Sequence, residues 1–225
     1  RILDDMFIDD AVDFLEELPA GVVKRVLQST APETRNLINQ FLRYPENSAG
    51  SLMTIEYLEF HEDATVEKAM EIIRRVGLDK ETIYTLYIID AQRHLLGTLA
   101  LRKMILAEST AKLVDMMEPN PVFVHTTDDQ EKVADTVRHY DLMAIPVVDL
   151  EGRLVGIITA DDVMDVIEEK NTEDFEKMAA LTPSDEEYLK TPVFTMAVHR
   201  IPWLLLLAVI AIFTGLIITN YEDVL

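Results

Sequence analysis

Cysteine is absent from the 225-residue sequence, and basic residues are few, with 20 Lys and Arg against 41 Asp and Glu. Without cysteine there are no disulfides, thiolate metal sites or thiol nucleophiles, which is compatible with a cytosolic location. The formal charge of −21 argues against nucleic-acid binding, because phosphate backbones are bound by clustered Lys and Arg. The composition therefore favours cationic partners.

The overall composition indicates a folded protein. Hydrophobic residues make up 49% of the sequence and charged residues 27%, which is typical of one to three globular domains at this length. Because residue 1 is Arg and the first residues already follow a helical pattern, we expect the chain to be part of a longer protein.

Residues 1–51 are predicted to form a small all-α domain. Apolar residues recur at helical spacing, and strand-like alternation is missing. Thr30-Ala31-Pro32-Glu33 predicts a helix start, with a hydroxyl cap and a proline in the first turn. In the first clear helix Asp9 and Asp13 lie one turn apart and form an acidic ridge. Helix capping is an alternative explanation for Asp9, but it does not cover Asp13.

An internal repeat follows over residues 52–114 and 115–161. The sequence IID at 88–90 and LLG at 95–97 recurs 59 residues later as VVD at 147–149 and LVG at 154–156. Each copy is predicted to contain a strand, a helix, two strands joined by a tight turn and a closing helix. The turn DLEG at 149–152 is a hairpin signal. The first copy carries five extra residues around positions 77–81.

An acidic amphipathic helix is predicted over residues 162–181. Residues 161–176 hold eight carboxylates and one lysine. At about 100° per residue, one stripe of this helix contains Asp162, Asp165, Glu169 and Glu176, with Glu173 beside it, while apolar residues cover the opposite side. An ordinary solvated charged face is the alternative interpretation.

A linker is predicted over residues 182–200, followed by a transmembrane helix over 201–221. The second range has no charged residue, and at about 1.5 Å per residue it covers the roughly 30 Å hydrocarbon core of a bilayer. A buried soluble helix is the alternative. His199 and Arg200 precede the range, and Glu222 and Asp223 follow it. The positive-inside rule therefore predicts a plasma-membrane protein whose residues before about 201 are cytoplasmic.

The repeat resembles a tandem pair of cystathionine-β-synthase (CBS) domains, particularly in the stretch VVDLEGRLVGIITADDVM at 147–164. The resemblance implies a pseudo-twofold module that dimerises and often binds adenosine nucleotides through a T-x-x-D pattern. In the second copy this pattern is intact as Thr159 and Asp162, whereas the first copy has Ala100 and Lys103 at the same positions.

The order of helical domain, CBS pair, acidic helix and apolar range resembles the MgtE family of magnesium transporters. Two linking phrases also resemble that family, YPENSAGSLMT at 44–54 before the CBS pair and RIPWL at 200–204 before the membrane. The resemblance implies an α+β fold with an all-α N-terminal domain, a CBS pair, a connecting plug helix at 162–181 and one transmembrane helix. It also implies that pore helices follow this chain and that the plug helix helps to close the pore when magnesium is bound.

The resemblance also assigns residues to ligands. The acids that match intracellular Mg²⁺ sites of the family are Asp9, Asp13, Asp129, Glu131, Asp141, Asp162, Asp165, Glu173 and Asp174. Glu169, which lies in the acidic stripe of the predicted helix, is added to this set as a candidate ligand. Lys170 stands where related members can carry a further carboxylate. For ATP, which some members bind, Arg102 and Val122 match the family, as do Thr159 and Asp162 of the nucleotide pattern. Thr85 replaces the aromatic residue that stacks on adenine, and Lys103 replaces the aspartate that binds ribose.

The sequence therefore predicts a homodimeric magnesium sensor. Magnesium takes oxygen ligands and is often held by only one or two carboxylates with several waters, so ions between facing acidic surfaces would favour a closed pore. A nucleotide-sensing CBS module that regulates a membrane protein through AMP or ATP is the alternative. Metal-dependent phosphohydrolysis is a third reading, but the five histidines are scattered and no nucleophile has a base beside it, so we expect no enzymatic activity.

Overall fold

The computed structural model describes residues 6–16, 18–19, 22–23, 26–27, 30–178 and 193–222, apart from some side chains within the helices. The chain divides into two compact units, Arg1–Val166 and Ile167–Leu225. The first unit contains a helical domain and two β-sheets, so the predicted α+β class, with a helical N-terminal domain and a CBS-like repeat, is confirmed.

Two helices define the described core of the N-terminal domain, α1 (Ile8–Glu16) and α2 (Pro32–Phe41). The face of α1 formed by Ile8, Ala11 and Leu15 is buried, and α1 packs against α2. Pro32 opens α2 as predicted, because its fixed φ suits a first helical residue. The predicted hydroxyl cap is wrong, since no described side chain caps this helix and the Thr30 hydroxyl donates backwards to the carbonyl of Val26 at 2.9 Å.

The junction at 44–54 docks the N-terminal domain onto the second repeat. Its short helix α3 (Ala49–Leu52) begins with a reciprocal capping box between Ser48 and Ser51. The backbone N–H of Gly50 donates to the carbonyl of Thr126 at 2.9 Å. A Cβ on Gly50 would lie 2.5 Å from the Tyr44 ring, so this close approach requires glycine.

The first repeat copy forms a four-stranded sheet. Its elements are β1 (Glu59–His61), α4 (Val66–Val76), β2 (Thr85–Ile89), β3 (Leu95–Ala100) and α5 (Leu101–Ile105), and β4 (Glu118–Pro119) from the start of the second copy completes the sheet. The strand order is β1-β2-β3-β4, with β1 parallel to β2 and the other pairs antiparallel. The Leu86 and Ile88 side chains enter the core of this copy, whereas Tyr87 and Ile89 belong to a second cluster with Ile157 of the other copy. Because successive side chains of β2 point to opposite faces of the sheet, this strand contributes to two hydrophobic cores.

The second copy repeats this arrangement with β5 (Val124–His125), α6 (Gln130–Tyr140), β6 (Ala144–Val148) and β7 (Leu154–Thr159). The pairing is again parallel and then antiparallel, and the register irregularity after Ile88 is repeated after Val147. Thr54, at the start of the first copy, pairs with Ile157 of β7, just as β4, at the start of the second copy, pairs with β3. These equivalent pairings between the two copies support the internal repeat.

The hairpin predicted at 149–152 is present. Gly152 has φ +81°, a backbone conformation that favours glycine. The Asp149 carboxylate accepts backbone hydrogen bonds from Glu151 and Arg153. The turn also contacts the equivalent turn of the first copy, because the Leu95 N–H donates to the Gly152 carbonyl at 3.3 Å.

Helix α7 (Ala160–Met178) follows β7, and helix α8 (Val193–Glu222) lies in the second unit. Helix α8 begins inside the predicted linker 182–200, of which residues 182–192 lie outside the described part. The described large apolar side chains of α8, such as Leu204 and Phe213, are exposed. Judged on the described residues, no helix combines the length and the apolarity that a membrane crossing requires, so the predicted transmembrane helix is not confirmed.

Candidate functional site

The T-x-x-D pattern of the second copy lies at the junction of β7 and α7. The hydroxyl of Thr159 donates to Asp162 Oδ2 at 2.6 Å, and the backbone N–H of Thr159 donates to the same oxygen at 3.3 Å. Asp162 is half-buried near the start of α7, where a carboxylate is favoured by the helix dipole. The two residues are therefore bonded to each other.

Asp9 of α1 is the most perturbed carboxyl group of the first unit. Its Oδ1 atom is buried, and no described residue forms a hydrogen bond with it. Burial raises the pKa of Asp9 to about 7, with further contributions from the negative charges of Asp162, Asp10 and Glu81, while a hydrogen bond from the Asp10 backbone opposes the rise. The charge of Asp162 therefore acts on Asp9, which places the start of α7 near the first helix.

Two more carboxyl groups share this electrostatic environment. Burial, followed by the charges of Asp162, Asp161 and Asp10, raises the pKa of Glu81. Burial also raises the pKa of Asp162, as do Asp161 and Asp10, and the Thr159 hydrogen bonds partly oppose this. We call Asp9, Asp10, Glu81, Asp161 and Asp162 the acidic cluster. Its members repel one another, and a cation placed among them would relieve that repulsion.

Glu81 was not identified as a site residue from the sequence. It follows the 3-10 turn Gly77–Asp79, within the five extra residues of the first copy. Its backbone N–H donates to the carbonyl of Glu56 at 2.8 Å, which ties the insertion to the segment that precedes β1. The insertion was visible in the sequence, but its position beside α1 and α7 is set by the tertiary fold.

The acidic cluster is not a closed metal cage. Among the described residues, no group of three or more Asp, Glu, His or Cys side chains is arranged to hold a metal ion. Asp13 lies one turn beyond Asp9 in α1, but its side chain is outside the described part. A hydrated Mg²⁺ fits this donor set, because it keeps several waters and needs only one or two carboxylates.

The acids assigned to the second copy lie elsewhere. Asp129 caps the start of α6 by accepting from the Glu131 N–H at 2.9 Å, and Asp141 caps its end in a left-handed conformation with φ 50°. The 11 residues of α6 lie between the two caps and separate them by about 18 Å along the helix axis, so they cannot ligate one ion within the same chain. Asp129 and Glu131 line an open groove of about 850 Å³ together with Asp135, Lys132 and Arg138, so acidic and basic side chains are mixed there.

The remaining predicted acids follow along α7. Asp165 is exposed and belongs to the first unit. Glu169, Glu173 and Asp174 belong to the second unit, and Glu173 forms an ion pair with Lys177 at 2.6 Å. Metal binding by these four residues stays a prediction.

The nucleotide positions outside the T-x-x-D pattern of the second copy contain no carboxylate. Arg102 and Lys103 are exposed on α5, and Val122 is half-buried. The Lys103 ammonium donates to a carboxylate oxygen of Glu118 at 2.6 Å. The position at which the family pattern has an aspartate therefore carries a cation that is already paired.

The repeated sheets, the helical domain and the acidic cluster together define a regulatory CBS pair preceded by an acidic helical domain. Comparison with known families agrees, since the model of the MgtE intracellular N domain matches residues 1–47 and the model of the CBS domain matches residues 113–169. The chain belongs to the MgtE family of magnesium transporters.

Individual relatives cover most of this chain. The magnesium transporter MgtE of Thermus thermophilus is 39% identical over 223 residues, which is 99% of this chain and 49% of that protein. The soluble part of a magnesium transporter superimposes with a TM-score of 0.73 at 36% identity, covering 75% of this chain and 66% of that one. The cytosolic domain of the Mg²⁺ channel MgtE in complex with ATP superimposes with a TM-score of 0.70 at 43% identity, covering 73% and 68%.

The chain spans about half the length, or less, of the curated relatives it matches. Those relatives are transporters, and the matched CBS domain is a regulatory module, which favours the predicted absence of enzymatic activity.

Proposed function

We propose that this chain is the cytoplasmic magnesium-sensing and gating region of a magnesium transporter or channel. The observation that carries the proposal is the acidic cluster, in which the buried Oδ1 of Asp9 has no hydrogen-bond partner among the residues that the structure describes. An unpaired buried carboxylate oxygen is costly, and a divalent cation beside it would supply the missing electrostatic partner. Three relatives of this chain are magnesium transporters, which supports magnesium as that cation.

The electrostatics supply a mechanism for sensing. Two like charges about 4 Å apart repel by about 1 kcal/mol in bulk water and by about 4 kcal/mol at an effective dielectric of 20. In the absence of a cation, Asp9 on α1 and Asp162 on α7 therefore oppose the docking of the helical domain. Magnesium between them reverses the sign of this interaction, so a high cytoplasmic concentration selects the compact state and a low concentration releases it.

The gating function extends this mechanism to α7. In the proposal, α7 acts as the plug helix, and its acids Asp165, Glu169, Glu173 and Asp174 add weaker magnesium sites. Asp13 completes the ridge on α1, and Asp129, Glu131 and Asp141 bind further ions. Because Asp129 and Asp141 lie at opposite ends of α6, one ion could reach both only by bridging two chains, which is compatible with the proposed homodimer.

The membrane part of the proposal rests on the sequence. Residues 201–221 contain no charge, and the helix that includes them, α8, has 30 residues and is therefore about 45 Å long. Its described apolar side chains are exposed. We propose that this range enters the bilayer of the plasma membrane, that earlier residues are cytoplasmic, and that pore helices follow it.

A second candidate function is nucleotide sensing by the CBS pair. The ATP complex of a 43% identical relative favours it, and Arg102 and Val122 match the family pattern. The ion pair between Lys103 and Glu118 argues against nucleotide sensing, because Lys103 stands where the family pattern has the ribose-binding carboxylate. A thermal-shift comparison of AMP, ATP and Mg²⁺ separates the two functions, since a response to nucleotide without a response to magnesium supports the second alone.

The decisive test of the first function is a magnesium titration of compactness. Small-angle scattering and limited proteolysis should show the wild-type chain becoming more compact and more resistant as Mg²⁺ is added to EDTA-treated protein. Asp9→Asn and Asp162→Asn should lose most of the response, whereas Glu71→Gln, on the exposed surface of α4, should keep it. A wild-type chain whose compactness ignores magnesium would contradict the proposal.

A further inference from the structure

Thr159 stands out among the residues around the acidic cluster, because it is a polar side chain that is only 5% exposed and bonds directly to one cluster member. Both of its donors, the hydroxyl at 2.6 Å and the backbone N–H at 3.3 Å, reach the same oxygen of Asp162, Oδ2. The second carboxylate oxygen is therefore not used by Thr159. Two donors on one oxygen restrict the rotation of the carboxylate about its side-chain bonds.

The charges around this pair do not suit a nucleotide. Asp162 lies in the electrostatic range of Asp9, Asp10 and Asp161, so a phosphate bound at Thr159 and Asp162 would meet several carboxylates. A cation at the same place would meet favourable charges. The chemistry of the surroundings therefore selects a positive ligand.

The first repeat copy provides an internal comparison. It has Ala100 and Lys103 in place of the Thr and Asp, and Lys103 is paired with Glu118 at 2.6 Å. The hydroxyl and carboxylate pair is thus present only in the copy whose closing helix meets α1 through the acidic cluster. This asymmetry links the pair to the N-terminal domain.

We propose that Thr159 is a positioning residue of the magnesium sensor, whose hydroxyl fixes the Asp162 carboxylate so that it shares a hydrated cation with Asp9. The T-x-x-D pattern of the second copy serves cation sensing, and its two residues do not contact a nucleotide. This inference rests on the proposed magnesium-sensing function, because it assigns a role within that same site.

The test measures Mg²⁺ binding to the full 225-residue chain by isothermal titration calorimetry. Thr159→Val keeps the branched shape and removes the hydroxyl, and Thr159→Ser restores the hydroxyl. Loss of one hydrogen bond to a charged group should weaken Mg²⁺ binding about tenfold, which corresponds to about 1.4 kcal/mol. Thr159→Ser should bind within about twofold of the wild type, a span of about 0.4 kcal/mol on the same scale.

The matched control is Thr136→Val. The Thr136 hydroxyl donates to the Lys132 carbonyl within α6 at 2.7 Å, so its loss removes a comparable bond outside the acidic cluster and should leave Mg²⁺ affinity unchanged. Urea unfolding of each variant in EDTA is measured alongside. A purely structural role for Thr159 would lower the stability in EDTA without changing Mg²⁺ affinity, and that result would overturn the inference.

The remaining outcomes separate the inference from the proposed function. If the wild type binds Mg²⁺ and Thr159→Val binds it equally well, only the inference fails. If the wild type does not bind Mg²⁺, the proposed function fails and the inference fails with it. A Thr159→Val variant that loses AMP or ATP binding while keeping Mg²⁺ affinity also overturns the inference. If Thr159→Val does not fold, Thr159→Ala against Thr159→Ser gives the same comparison.

Discussion

Removal of the buried charge at Asp9 should make the metal-free protein more stable at alkaline pH. Burial and neighbouring carboxylates raise the pKa of Asp9 from 3.8 to about 7, so the folded state binds this proton more tightly than the unfolded state. Stability linked to Asp9 is therefore lost as the pH rises through the folded value and regained as the pH falls towards 4. Asp9→Asn removes the titration.

The size of the effect follows from the two pKa values. Each pH unit between them changes the free energy of unfolding by about 1.4 kcal/mol. Lowering the pH from 8 to 5 passes through about two such units, so Asp9 should add roughly 2 to 3 kcal/mol to the stability of the wild type in EDTA. Hydrogen bonds lower the pKa values of Asp128 and Asp149 against the opposing effect of burial. Their contribution is lost only below their unfolded value near 4, outside this range.

The assay is urea unfolding in EDTA at pH 5 and pH 8, followed by circular dichroism. The wild type should gain stability at pH 5 relative to Asp9→Asn, and Asp9→Asn should exceed the wild type at pH 8. Glu71→Gln, which is exposed on α4, controls for the loss of one acidic charge. An identical pH dependence in the wild type and in Asp9→Asn would refute the electrostatic reasoning about the acidic cluster.

Three further predictions concern other parts of the first unit. Tyr87 is fully buried, and its hydroxyl has no hydrogen-bond partner in the described part of the chain. Tyr87→Phe should therefore leave the melting temperature unchanged or raise the stability by about 1 kcal/mol, and a clear loss would show that the hydroxyl is bonded. Gly50→Ala should lower the free energy of unfolding in urea by about 1 to 3 kcal/mol, because the new Cβ would lie 2.5 Å from the Tyr44 ring. Gly77→Ala is the control and should lower it less, because the nearest contact of its Cβ is at 3.4 Å. Lys103→Asp should strengthen ATP binding about tenfold in calorimetry by restoring the carboxylate of the family pattern, and unchanged affinity would argue against a nucleotide pocket in the first copy.

Local patterns predicted the fold well. The helices of the N-terminal domain followed from apolar spacing, and the two sheets followed from a repeat whose register irregularities fall at equivalent residues. The error at Thr30 also has a local cause. A hydroxyl before a helix can cap it or donate backwards to the preceding turn, and the bond from Thr30 to Val26 shows that the second choice was taken.

The site was less predictable, because its residues come from distant parts of the chain. Spacing within α1 suggested an acidic ridge at Asp9, but only the family resemblance paired it with Asp162. Glu81 was missed since nothing in its local sequence indicates that the insertion lies beside α1 and α7. The resemblance assigned both Asp129 and Asp141 to magnesium sites, and the caps they form at opposite ends of α6 could not be inferred from composition or charge.

The central claim is that a divalent cation binds between α1 and the start of α7. Its most direct test is an anomalous difference map from crystals of the wild-type chain grown with Mn²⁺, an ion that takes the same oxygen ligands as Mg²⁺ and scatters anomalously. The account predicts a peak at the acidic cluster, at direct or water-mediated distance from Asp9 Oδ1, and no such peak in Asp9→Asn crystals. A wild-type map with Mn²⁺ elsewhere and none at the acidic cluster would contradict it.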